Sequence, residues 1–116
     1  MKEAQFNEHG VCINAEEVYI FSRKYRHVII KVATLNGRYA GLPNVQGRSW
    51  YCSSPIVKTD FRFATKESAI QSVLTDILQS ENCKKMLARC FSEPDMIKGI
   101  KKALEDLFPE QLELGL

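Results

Sequence analysis

HVIIKVATLNGRYA, residues 27–40, is the stretch on which the fold turns. β-Branched side chains dominate 27–35, and such residues fit a pleated, half-buried surface, so this run predicts the strongest strand of the chain. Asn36-Gly37 supplies a pair that tolerates positive φ at both central positions of a type I′ turn, and Arg38-Tyr39-Ala40 follows as the returning strand of a hairpin.

Working outward from the hairpin, VCIN at 11–14 and VYIFS at 18–22 read as short strands. GLPNVQG at 41–47 is rich in turn formers and reads as a loop. SWYCS at 49–53 resumes as a strand until Pro55 interrupts it, and a last extended piece runs through Phe61 and Phe63.

Beyond Thr65, a predicted helix N-cap, the apolar period changes from 2 to 3.6. Ile70, Val73, Leu74, Ile77 and Leu78 fall on one stripe. Cys83, Met86, Leu87, Cys90 and Phe91 form a second, which reads both cysteines as small buried hydrophobes. Ser92, Pro94 and Asp95 mark another helix start; Ile97, Ile100, Leu104, Leu107 and Phe108 give it an apolar face, and Pro109 stops it. The order predicts an α+β protein, an N-terminal antiparallel sheet packed by about three C-terminal helices. It comprises a single domain over 1–108 and a tail over 109–116.

The 116 residues, 45% hydrophobic and 26% charged, suit one ordinary globular core. No apolar run approaches the roughly 18 to 20 residues of a membrane span, and MKEAQFNEHG lacks the apolar stretch of a signal peptide. The expected location is the cytoplasm, with no membrane partner and with reduced thiols. Of Cys12, Cys52, Cys83 and Cys90, only Cys12 has a close potential co-ligand, His9 in an HxxC pair, so neither a zinc site nor any other cofactor is expected. Phosphate-cradling GxxxxGKS/T, GxGxxG, HExxH and GxSxG patterns are all missing, and the two histidines, His9 and His27, do not announce a catalytic set. No catalytic residue is assigned; a small cysteine- or histidine-dependent enzyme stays open as a lesser alternative.

Charge is distributed unevenly. Residues 18–59 contain Arg23, Lys24, Arg26, Lys31, Arg38, Arg48 and Lys58 and no acid, so this segment carries +7 and the remainder −5 of the net +2. A domain polarised in this way offers a positive surface to a phosphate backbone. Tyr19, Phe21, Tyr25, Tyr39, Trp50 and Tyr51 lie among these charges. Strand alternation puts Tyr19, Phe21 and Arg23 on one face and Val18 and Ile20 on the other, an arrangement that would bury the aliphatic set and turn an aromatic-basic set outward. Single-strand binders combine stacking rings with phosphate-neutralising cations, so the candidate nucleic-acid-binding residues are Arg23, Lys24, Arg26, Lys31, Arg38, Arg48, Tyr19, Phe21, Trp50 and Tyr51. The competing reading makes the aromatics sheet core and the cations a solvated surface.

The last six residues, Gln111-Leu112-Glu113-Leu114-Gly115-Leu116, present three leucines beyond the helix-stopping proline. An apolar segment of that kind ordinarily needs a partner. The peptide resembles the QLxLxL hexapeptide by which bacterial replication and repair proteins dock on the β sliding clamp, matching at Gln111, Leu112, Leu114 and Leu116. The resemblance covers about one twentieth of the chain and implies that the glutamine amide hydrogen-bonds at one subsite while the leucines fill an apolar pocket. The combined expectation is a small bacterial or phage-type accessory protein of DNA metabolism that binds nucleic acid through its sheet and a sliding clamp through its tail. The alternative is a protein-interaction module or inhibitor from a mobile element that binds no nucleic acid.

Overall fold

The computed structural model describes residues 1–48, 50–79 and 94–108. Four strands, β1 (Glu16–Arg23), β2 (Arg26–Leu35), β3 (Arg38–Gln46) and β4 (Tyr51–Ser53), form an antiparallel sheet in the order β1-β2-β3-β4. A single 3₁₀ turn at Lys58–Asp60 leads to helix α1 (Lys66–Gln79), and helix α2 spans Pro94–Leu107. The chain is therefore a mixed α+β protein with the strands first. Two of the roughly three expected helices are among the described residues; the Cys83–Phe91 stripe, the Ser92 cap, Pro109 and the 111–116 peptide lie outside them.

The central hairpin forms as its residues dictate. Asn36 and Gly37 take φ of 53° and 79°, and β2 pairs with β3 continuously from His27↔Gln46 to Leu35↔Arg38. The segment expected as a loop, 41–47, is instead the outer half of β3 as far as Gln46. Pro43 is tolerated there because it stands opposite Ile30 with its polar backbone turned away from β2. Its carbonyl accepts from Ser54 N at 3.4 Å, so the missing N–H faces the side where pairing with β4 has already ended. Gly41 lies opposite Val32, and a Cβ on it would come within 2.9 Å of the Ala69 carbonyl oxygen, so the bare backbone is what lets α1 settle onto the strand.

One face of the sheet carries both helices, α1 chiefly over β3 and α2 over β1. Val28, Ile30, Val32 and Val45 interdigitate there with Ile70, Val73, Leu74 and Ile77 of α1 and with Met96, Ile97 and Ile100 of α2. The α1 stripe is thus buried as its spacing requires, and Thr65 caps the helix, its Oγ1 accepting from Ser68 N at 3.0 Å. Each fully buried aliphatic side chain in this layer is worth about 1.5 to 3 kcal/mol of transfer free energy.

The opposite face is covered over only part of its length. Residues 1–15 do not add a strand: VCIN makes isolated bridges, Phe6↔Cys12 and Val11↔Val57, and the arm is held by Ala4 N donating to Thr34 O at 2.8 Å and Cys12 N donating to Ile56 O at 2.8 Å. Arm and 3₁₀ segment together bury Ala33, Ala40 and Ile56 beneath Ala4, Cys12, Ala15 and Phe61. This second, smaller core closes the half of the face near Asn36-Gly37 and leaves the other half open. No described helix is long and apolar enough to cross a membrane.

Candidate nucleic-acid interface

The strand register defines the open half of the face in three rows. Ser22, His27, Gln46 and Tyr51 form the outermost row; Tyr19, Ile29, Asn44 and Ser53 form the next; Glu17, Lys31 and Leu42 form the one bordering the N-terminal arm. With strands about 4.8 Å apart, a four-residue row spans about 14 Å, the length of a few stacked nucleotides. Tyr19 and Tyr51, on opposite edge strands, are 63% and 59% exposed. Ile29 between them is only 5% exposed, so the polar residues around it close over the middle of the face.

Hydrogen bonds hold this surface in shape. The His27 ring and Asn44 Oδ1 are 3.0 Å apart, and Lys31 Nζ donates to Ser53 Oγ at 3.1 Å and to the Ser54 carbonyl, which fixes the ammonium along β4. Tyr19 Oη donates to Glu17 Oε2 at 3.0 Å, and that hydrogen bond to a neighbouring carboxylate pushes the phenol above its usual pKa. Glu17 precedes the acid-free segment by one residue, yet it places a negative charge on the face that the segment makes positive.

Beyond the outermost row lie the β1–β2 turn, Lys24-Tyr25, and the β3–β4 connection, which carries Arg48 and is closed by Gly47 N donating to Trp50 O at 2.9 Å. Arg23, Lys24 and Arg48 are all exposed at this end of the sheet. Arg23 rests over the Phe21 ring at 4.8 Å from its centroid, and Lys24 Nζ stands 5.3 Å from the Tyr25 centroid.

Not every residue singled out from the sequence reaches this surface. Phe21 is 7% exposed and belongs to the helix-side core, because Ile20 is an extra residue between the pairs Tyr19↔Ile29 and Phe21↔Val28. That bulge resets the alternation, so Tyr19 and Phe21 point to opposite faces rather than the same one. Trp50 packs against the same core, next to Cys52 on the helix side. Arg26 also faces the helices, where its guanidinium meets Asp95 of α2. Arg38 lies at the far end of the sheet and donates to the Arg62 carbonyl at 3.4 Å; Lys58, 5.5 Å from the Phe6 centroid, is likewise on the arm side. Arg23 follows Phe21 across the bulge: it pairs with Arg26 and lies over the Phe21 ring, so it stands on the helix side and not, as simple alternation predicts, beside Tyr19. The seven cations are therefore divided: Lys31 lies on the open face, Lys24 and Arg48 stand at its end, and the other four do not border it.

Sequence alternation also passed over His27, Asn44 and Gln46. Once β3 is known to extend through 41–46, period-two counting from Lys31 and its partners would place them on the open face. Tyr25 was visible among the aromatics, but its turn position was not. Cys12 and Cys52 are free thiols, Cys12 donating to Asn14 Oδ1 at 3.4 Å, and no group of three or more His, Cys, Asp or Glu gathers among the described residues.

Fold and surface together define a class: a four-stranded meander with helices on one face and a partly uncovered polar-aromatic surface on the other. The chain matches no protein-family model, no curated protein and no solved structure.

Proposed function

We propose that this protein binds single-stranded nucleic acid across the open half of its sheet and is an accessory factor of DNA metabolism. The observation that carries the reading is the row structure of that face. Two exposed tyrosines flank it, hydrogen-bonding groups of His27, Asn44 and Gln46 lie between them, and Lys31, Lys24 and Arg48 border it. Rings offer π-faces to bases of any sequence, and the cations neutralise phosphates. The positive surface is narrower than the charge count alone suggests, because Arg26 is paired with Asp95 and Arg38 and Lys58 stand elsewhere.

The test is binding to a labelled single-stranded oligonucleotide over a salt series. Three phosphate contacts would give a slope of log K against log salt of about −2. Changing Lys24, Lys31 and Arg48 to glutamine should flatten that slope, whereas Arg38→Gln should leave it in place. Salt-independent binding, or none, removes the reading.

We also propose that Gln111, Leu112, Leu114 and Leu116 dock this protein on a bacterial sliding clamp, a reading supported by the hexapeptide resemblance. A clamp pull-down of the intact chain, compared with one lacking 111–116, tests it independently of nucleic acid. Equal retention of the two forms would overturn it.

A further inference from the structure

The tip of the β1–β2 hairpin carries a residue that the fold does not need. Tyr25 sits at the second turn position with φ of 63°, a left-handed conformation that glycine or asparagine adopts at much lower cost than a bulky aromatic. Its ring is 77% exposed and belongs to neither hydrophobic core, so burial does not offset that backbone cost. Backbone strain at an exposed aromatic points to use rather than stability.

The surroundings indicate the ligand. Lys24 Nζ stands 5.3 Å from the Tyr25 centroid, while the ring's exposure leaves aromatic surface open to solvent. Arg23 is the next cation along, held over Phe21 with its Nη1 donating to Ser22 O at 2.8 Å. Beneath them Arg26 ties the base of the hairpin to Asp95, so the tip projects from an anchored stem. A planar ring with an ammonium beside it matches a nucleotide: the base stacks on the ring and its phosphate meets Lys24 or Arg23.

We infer that Tyr25 is a base-stacking platform at the end of the nucleic-acid path, engaging one unpaired base beyond the tyrosines of the open face. This rests on the nucleic-acid reading and adds a residue and a contact type to it. The experiment compares the full chain with Tyr25→Asn, which tolerates the turn conformation but lacks the ring, and Tyr25→Phe, which keeps the ring. Each is titrated with an oligothymidylate and with an abasic strand of equal length and charge.

The expected result is an affinity loss of about 5- to 100-fold for Tyr25→Asn on the base-bearing strand, with little change on the abasic strand and near-normal binding by Tyr25→Phe. Tyr25→Asn should melt at or above the parent's temperature. Equal binding of the base-bearing strand by parent and Tyr25→Asn, or an equal loss on both strands, would overturn the stacking role and leave the nucleic-acid reading standing. Failure of the parent to bind either strand would remove both.

Discussion

Arg26 and Asp95, 69 residues apart in the chain, meet through two contacts: Nη2 to Oδ2 at 2.7 Å and Nη1 donating to Oδ1 at 2.8 Å. The pair fastens the β1–β2 hairpin to the first turn of α2. The arginine side chain is 13% exposed and the aspartate 47%, so one partner is largely withdrawn from water. Two parallel contacts of this kind fix geometry as well as charge, and Arg26 also lies 5.6 Å from the Phe21 centroid. The hairpin tip, its core aromatic and the helix start are thus one unit.

The ion pair makes stability pH-dependent with a definite sign. Its hydrogen bond from Arg26 holds the Asp95 carboxyl below its ordinary pKa. A depressed folded-state pKa contributes stability that is fully present above the ordinary carboxylate range of about 4 and is lost as pH falls through the folded-state value. Asp95→Asn should therefore melt below the parent at pH 7, and the gap should shrink steadily below about pH 4. Thermal melts of both proteins across that range measure it; a gap that is constant with pH would contradict the assignment.

Two glycines should respond differently to alanine. At Gly41 the new Cβ would meet the Ala69 carbonyl at 2.9 Å, and backbone of a packed helix cannot yield without moving α1. A loss of about 1 to 3 kcal/mol is expected. At Gly99 the obstacle is Phe21 Cδ2, also at 2.9 Å, but a side chain can shift, and alanine gains about 0.5 to 1 kcal/mol over glycine inside a helix. Gly99→Ala should consequently cost less than Gly41→Ala, as urea unfolding of the two would show.

The N-cap of α1 is separable from the binding surface. Thr65→Ala removes the acceptor for Ser68 N and should destabilise the fold by about 1 kcal/mol, with oligonucleotide affinity unchanged once the protein is folded. Chemical denaturation and a binding titration on the same preparation distinguish these effects.

Glu17 opposes the proposed ligand. It is the acid on the open face and holds the Tyr19 hydroxyl. Glu17→Gln should raise affinity for single strands by a few-fold at low salt, with the advantage fading as ionic strength rises. It should also return the Tyr19 phenol toward its ordinary pKa, because the neighbouring carboxylate that raised it is gone. A phenol titration followed by NMR and a fluorescence binding assay read the two effects.

Much of this arrangement is local and was legible in the chain. The β-branched run at 27–35, the Asn36-Gly37 turn, the Thr65 cap and the Ile70-to-Ile77 stripe each depend on residues within a few positions of one another, so propensity and period suffice to place them. Tertiary structure decided the rest, because each remaining feature depends on a distant partner. Whether Pro43 ends a strand depends on which neighbour its missing donor would have faced. Phe21 changes faces because the pairing of β1 with β2 absorbs Ile20 as a bulge, which no count along β1 alone reveals. Arg26 leaves the positive surface because an aspartate far along the chain folds back to meet it. Composition set how much positive charge the strand half carries. Pairing and packing determined which of those charges border an open face, since electrostatic fields depend on positions in space rather than order along the backbone.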